Sequence, residues 1–134
     1  MIYQFEREPI SGIIMVAVLV DKEYVFKMAL DTGASITTFD INPLKMAYYP
    51  MGDIIETGLV ETASGFMYVS IIKTNTISAF GHTVRDMKVQ VYDFLAHGII
   101  SEYNGVLGLD FLENTKFTID LINQTIEILQ VKPA

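Results

Sequence analysis

The chain contains no cysteine and no tryptophan in its 134 residues. Without cysteine there can be no disulfide, no zinc–thiolate site and no thiol nucleophile. That composition is compatible with a reducing compartment, and a cytoplasmic location is the expectation. Basic residues are scarce as well: 9 Lys and Arg stand against 16 Asp and Glu, a net charge of −7. Clustered cations are what displace counterions from phosphate, so no nucleic-acid partner is expected. An anionic membrane surface is disfavoured for the same reason. The longest apolar stretch, Gly12 to Val20, falls far short of the roughly 20 residues that span a bilayer. Residues 1–10 include Glu6 and Glu8 and lack the basic-then-apolar order of a secretory signal.

Familiar chemical signatures are missing too. There is no phosphate-cradling loop ending in Lys-Ser/Thr, no glycine-rich dinucleotide fingerprint, no His-Glu-x-x-His and no Gly-x-Ser-x-Gly elbow. The two histidines, His82 and His97, each sit beside a glycine and are expected to be exposed loop residues rather than metal ligands or bases. Asn123-Gln124-Thr125 matches the glycosylation acceptor pattern and, with no secretory signal, is read as a hairpin turn. Neither a metal nor a cofactor is called for.

What the chain does have is an apolar fraction of 51% with only 19% charged residues, which argues against disorder and for some apolar surface covered by a partner. Its length suits one domain over residues 1–134. Gly12 to Val20 and Tyr24 to Leu30 flank the polar turn Asp21-Lys22-Glu23 and read as a hairpin. Ile36 to Phe39 is a short strand, and Leu44 to Tyr49, after Pro43, is the one stretch with helical character. Ile54 to Glu61 and Phe66 to Ser78 flank the small-residue turn Thr62-Ala63-Ser64-Gly65. Alternation of Met87, Val89 and Val91 with Lys88, Gln90 and Tyr92 marks a strand within 83–94. Leu95 to Asn104 is loop-like, Val106 to Leu109 is apolar, Asp110 to Glu113 is a brief helical turn, and 116–121 with 125–130 form a last hairpin. Many short strands between turns make an all-β fold, barrel or sandwich, with one or two short helices.

One segment has the character of a reactive site. Asp31-Thr32-Gly33 follows directly on the apolar strand Ala29-Leu30 and leads into Ala34-Ser35. An ordinary turn accounts for the same residues, with Asp bonding its own backbone and Gly freeing the chain. A catalytic reading asks for more. A single carboxylate is poorly equipped both to activate water and to polarise a carbonyl, whereas two that share one proton do both. No second Asp stands in a comparable setting, since Asp110 precedes Phe111 rather than Thr-Gly. A second carboxylate would have to come from a second copy of the chain.

Ala29-Leu30-Asp31-Thr32-Gly33-Ala34-Ser35, followed by Val106-Leu107-Gly108-Leu109-Asp110-Phe111-Leu112, resembles the retropepsin-like aspartic peptidases, single-lobe relatives of pepsin. The resemblance spans about Gly12 to Gln130. It implies a small closed barrel of the acid-protease type, one lobe per chain, and a homodimer that cleaves extended peptides. Asp31 would be the catalytic carboxylate of each subunit. Thr32, Gly33 and Ala34 would form the active-site loop and its dimer contact. Thr62, Ala63, Ser64, Gly65 and Phe66 would form a flap over the substrate, with Phe66 and Tyr68 as further groove residues. Ala34, where pepsin-like enzymes usually carry Ser, implies activity at mildly acidic to near-neutral pH. Leu109 replaces the Arg of retroviral members, so the dimer contact is expected elsewhere, through Met1 to Phe5 or Leu129 to Ala134. A second reading keeps the fold as a catalytically inactive dimeric peptide-binding or assembly module.

Overall fold

The computed structural model describes residues 1–52, 56–63 and 65–133, apart from the side chain of Thr62. In chain order the strands are β1 (Ile2–Gln4), β2 (Glu6–Arg7), β3 (Ile14–Val20), β4 (Tyr24–Leu30) and β5 (Thr38–Asp40), followed by helix α1 (Ile41–Met46). Next come β6 (Glu56–Thr62), β7 (Gly65–Lys73), β8 (Thr76–Ala79), β9 (His82–Arg85) and β10 (Lys88–Tyr92). A single 3-10 turn, Leu95–His97, precedes β11 (Gly105–Leu107), helix α2 (Leu109–Leu112), β12 (Thr115–Asp120) and β13 (Thr125–Val131).

The β3–β4 hairpin sets the core. Val16, Val18 and Val20 on β3 and Phe26 and Met28 on β4 are buried at alternate positions, while Val25 and Lys27 point outward. The hairpin turns through Asp21, Lys22 and Glu23, with positive φ at the first two and Glu23 N–H donating to the Val20 carbonyl at 3.1 Å. Asp21 also accepts the amides of Asn75 and Thr76, at 2.8 and 3.1 Å. That contact breaks the expected long strand 66–78 into β7 and β8. Asp86, at φ 55°, similarly separates β9 from β10. Helix α1 starts earlier than its composition suggests, because Asp40 caps it by accepting from the Asn42 amide.

One large sheet runs β6-β7-β10-β5-β11-β4-β3-β8-β9, with β2 paired to β3; a second runs β1-β13-β12. Among the described residues neither sheet closes on itself, so the expected closed barrel is replaced by an open, folded sheet. Period-two burial is identical in the two architectures; only the pairing of the outermost strands distinguishes them, and here β6 and β9 are left as edges. The terminal segments form their own layer, which Ile126, 1% exposed, ties to the common core.

The pairing that matters most lies mid-sheet. β11 is parallel to β4, with Leu107 opposite Leu30, and antiparallel to β5, with Val106 opposite Thr38. It therefore sits between two strands that are consecutive in sequence, and the chain from β4 to β5 has to step over it. Residues 31–37 are that step. Gly105 makes the insertion sterically feasible: a Cβ there would collide with the Thr38 carbonyl oxygen and lie 2.9 Å from Met28 Cε and 3.0 Å from Phe39 Cα. Gly105→Ala is expected to destabilise the fold by about 1–3 kcal/mol through overpacking, read as a lower urea midpoint with an unchanged slope.

Candidate active site

Asp31 ends β4 and opens the crossing segment. Its amide donates to the Leu107 carbonyl at 3.0 Å, so β11 fixes where the residue starts. The chain then turns back on itself: Gly33 N–H donates to Asp31 Oδ1 at 2.8 Å and Ala34 N–H donates to the Asp31 carbonyl at 3.2 Å. This is the carboxylate-on-its-own-backbone geometry that Asp-Thr-Gly favours. The turn is thus real, and it leaves the carboxylate exposed with a single hydrogen bond among the described residues. Thr32 is exposed too, and its hydroxyl has no hydrogen-bond partner among the described residues.

Beyond Ala34 the loop is stitched to the segment that follows β11. Leu109 N–H donates to the Ala34 carbonyl at 2.8 Å, and Asp110 N–H to the Ser35 carbonyl at 3.2 Å. Gly108 lies so close beneath that a Cβ would stand 2.7 Å from Ala34 O and 3.0 Å from the Ile36 carbonyl carbon. Thr37, fully buried, accepts from Gly108 N–H at 3.1 Å and donates its own hydroxyl to Asp110 at 2.7 Å. Asp31 through Ala34, together with Val106 to Asp110, therefore form one structural unit. Thr37 and the role of Asp110 were not read from the sequence. Neither a Thr after an isoleucine nor an Asp in a helical turn differs from ordinary surface chemistry until the two meet.

The β6–β7 hairpin projects its tip at Thr62 to Gly65. Thr62 and Gly65 are the last paired positions, Ala63 is exposed, and Gly65 adopts φ 124°. Ser64 lies outside the described residues, as does the Thr62 side chain. Register sorts the side chains of the hairpin. Ile71 lies opposite Glu56, Val69 opposite Gly58 and Met67 opposite Val60, all on one face. Ile71 and Glu56 line a cavity of about 300 Å³ together with Ile36 and Asp110 from the loop unit. Val60 and Met67 therefore share the face whose Ile71 and Glu56 border that cavity. Phe66 and Tyr68, paired with Glu61 and Leu59, occupy the other face and are 70% and 74% exposed.

The histidines divide. His97 is exposed, as expected, with Nδ1 2.9 Å from the Asp93 carbonyl oxygen. His82 is buried rather than exposed, because the Phe80-Gly81-His82 turn folds under α2. Its ring meets Phe111 edge-on at 5.1 Å, and its Nε2 has no hydrogen-bond partner among the described residues. Burial depresses its pKa below the ordinary value of 6.5, against a smaller opposing pull from the Phe111 backbone. Among the described residues no group of three or more His, Asp or Glu side chains gathers as metal ligands.

An exposed Asp-Thr-Gly carboxylate on a loop crossing an inserted strand is the arrangement of an aspartic-protease lobe. Residues 16–111, from β3 to α2, match the family model described as aspartyl protease, and the chain belongs to that family. Its fold is similar to the crystal structure of a retropepsin-like aspartic protease from Rickettsia conorii: TM-score 0.62 and 19% identity over 96% of this chain and 89% of that one. No curated protein matches the sequence.

His82 generates a pH prediction. Its pKa is lower folded than unfolded, so the unfolded chain takes up the proton first as the medium is acidified. Its contribution to stability is complete above pH 6.5 and is lost as pH falls from there through the lower folded value. Urea unfolding at a series of pH values is expected to show wild type losing stability over that window and His82→Leu losing less.

Proposed function

We propose that the chain is a homodimeric aspartic endopeptidase in which each copy contributes Asp31 to a shared catalytic pair. One observation carries the reading: in a member of the aspartyl protease family, Asp31 stands exposed on an anchored loop, its carboxylate accepting from Gly33 N–H. One lobe offers half of the chemistry. Two carboxylates brought within a few Å cannot both ionise, so they share a proton. The ionised one draws a proton from a bound water as that water attacks the peptide carbonyl carbon; the protonated one donates to the carbonyl oxygen. The resulting tetrahedral diol collapses by passing a proton to the leaving nitrogen, and the C–N bond breaks with no covalent enzyme intermediate.

Thr32, Gly33 and Ala34 are the residues that meet their counterparts across the dimer axis, with the exposed Thr32 hydroxyl donating to the other loop. Ile2, Leu129 and Val131 on the terminal sheet are exposed at 63%, 50% and 50% and support a further contact there. The substrate is an extended peptide bound by backbone hydrogen bonds and alternate side-chain pockets. The β6–β7 hairpin acts as the flap: its tip, Thr62 to Phe66, closes over the peptide, and Val60 and Met67 on its inner face favour apolar side chains near the scissile bond.

Incubating wild type and Asp31→Asn with a mixed peptide library, read by mass spectrometry, tests this reading. Wild type is expected to cleave, and Asp31→Asn to lose activity by about 10³-fold or more. No cleavage at any pH from a confirmed dimer would support the inactive binding module instead. The pH–rate profile is expected to peak between mildly acidic and near-neutral pH, because Ala34 places no hydroxyl beside the pair; a peak only in strong acid would contradict that.

A further inference from the structure

The loop that presents Asp31 is held at its far end by a second carboxylate, one to which the peptidase mechanism gives no chemical step. Asp110, in the first turn of α2, accepts three hydrogen bonds. Its Oδ2 accepts Thr37 N–H at 2.9 Å, and its Oδ1 accepts the Thr37 hydroxyl at 2.7 Å and Phe111 N–H at 2.9 Å. The Thr37 hydroxyl in turn accepts Gly108 N–H at 3.1 Å, which closes a ring of bonds around a fully buried residue. Every group aimed at the Asp110 carboxylate is a donor. Only an acceptor with two oxygens meets all of them, whereas an amide would turn its NH₂ towards one of the donors. The bonds to ionised oxygen are strong ones, and partial burial strengthens them.

Asp21 has the same chemistry in a different place. Its carboxylate also takes three donors, Tyr49 OH at 2.7 Å and the amides of Asn75 and Thr76 at 2.8 and 3.1 Å. It ties the turn at the opposite end of the β3–β4 hairpin from Asp31. Asp110, by contrast, fixes both ends of the crossing: the loop exit at Thr37 and, through Gly108, the strand on which Asp31 N–H rests. We propose that Asp110, acting through Thr37, is a positioning residue that sets the orientation of the Asp31 carboxylate. The inference rests on the peptidase reading above, and the catalytic consequence follows from geometry: a shift of about 1 Å in a reacting group costs on the order of 100-fold in rate.

The test compares Asp110→Asn, Thr37→Val, the double variant and Asp21→Asn with wild type, at a concentration where sedimentation shows one oligomeric state for all. Asp110→Asn is expected to lower kcat by about 10–100-fold with KM within about threefold. Thr37→Val, which removes only the hydroxyl, should behave alike and replace Asp110→Asn if that variant does not fold. The double variant should lose little more than either single one, because the two residues act as a unit. Asp21→Asn should lower the melting temperature comparably yet keep kcat within about twofold of wild type. Wild-type kcat in both Asp110→Asn and Thr37→Val, or an equal loss in Asp21→Asn, overturns the assignment. If wild type itself cleaves nothing, the peptidase reading fails, and amide hydrogen exchange decides the positioning claim alone. Faster exchange at Gly33 and Ala34 in Asp110→Asn but not in Asp21→Asn is expected; unchanged exchange there overturns it.

Discussion

The insertion of β11 between β4 and β5 is the constraint on which the rest depends. Two strands consecutive in sequence would ordinarily pair; here a segment from about 70 residues further on takes the place between them. Backbones have to approach closely for this, and two glycines permit it: Gly105 under the Thr38 carbonyl and Gly108 under the Ala34 carbonyl. The chain that steps over the inserted strand cannot lie in the sheet, so it stands off its end with its polar groups turned either outward or onto β11. Asp31 faces outward. The Ala34 and Ser35 carbonyls and the Thr37 hydroxyl are turned onto the segment after β11. Exposure of one carboxylate and rigidity of the loop that bears it thus have a single origin.

Much of this was legible in the sequence where the information is local. Alternating burial in β3 and β4, the polar turn at Asp21-Lys22, the Thr62 to Gly65 hairpin and the closing hairpin all follow from period-two patterning and turn chemistry. Asp31-Thr32-Gly33 stood out because it follows an apolar strand and is paired, later in the chain, with Val106-Leu107-Gly108-Leu109-Asp110-Phe111-Leu112. What was not legible depends on partners distant in sequence. Thr37 and Asp110 lie 73 positions apart, and each has ordinary surface chemistry by itself. His82 looks like a turn residue until α2 covers it. The phase of Phe66 and Tyr68 relative to the site follows from which face of the hairpin Ile71 shares with Ile36, and periodicity within one strand is silent on that. Closure of the sheet was misjudged for a related reason, since side-chain patterning does not specify how the outermost strands pair.

The fold and the family together explain why so small a domain carries so exposed a site. A lone carboxylate in water gains no catalytic power from a rigid loop; the rigidity has value once a second carboxylate must be met at a fixed distance. Apolar surface on the terminal sheet and the exposed Thr32 hydroxyl fit the same proposal, in which the domain is half of a catalytic unit.

Mixing chains of two kinds tests that account most directly. Wild type and Asp31→Asn are combined at varying ratios and constant total concentration, allowed to exchange subunits, and assayed on a peptide that wild type cleaves. If each copy supplies one of two required carboxylates, mixed pairs are inactive, and activity falls as the square of the wild-type fraction. A straight-line dependence on that fraction would mean that each chain works alone and would contradict the two-chain mechanism.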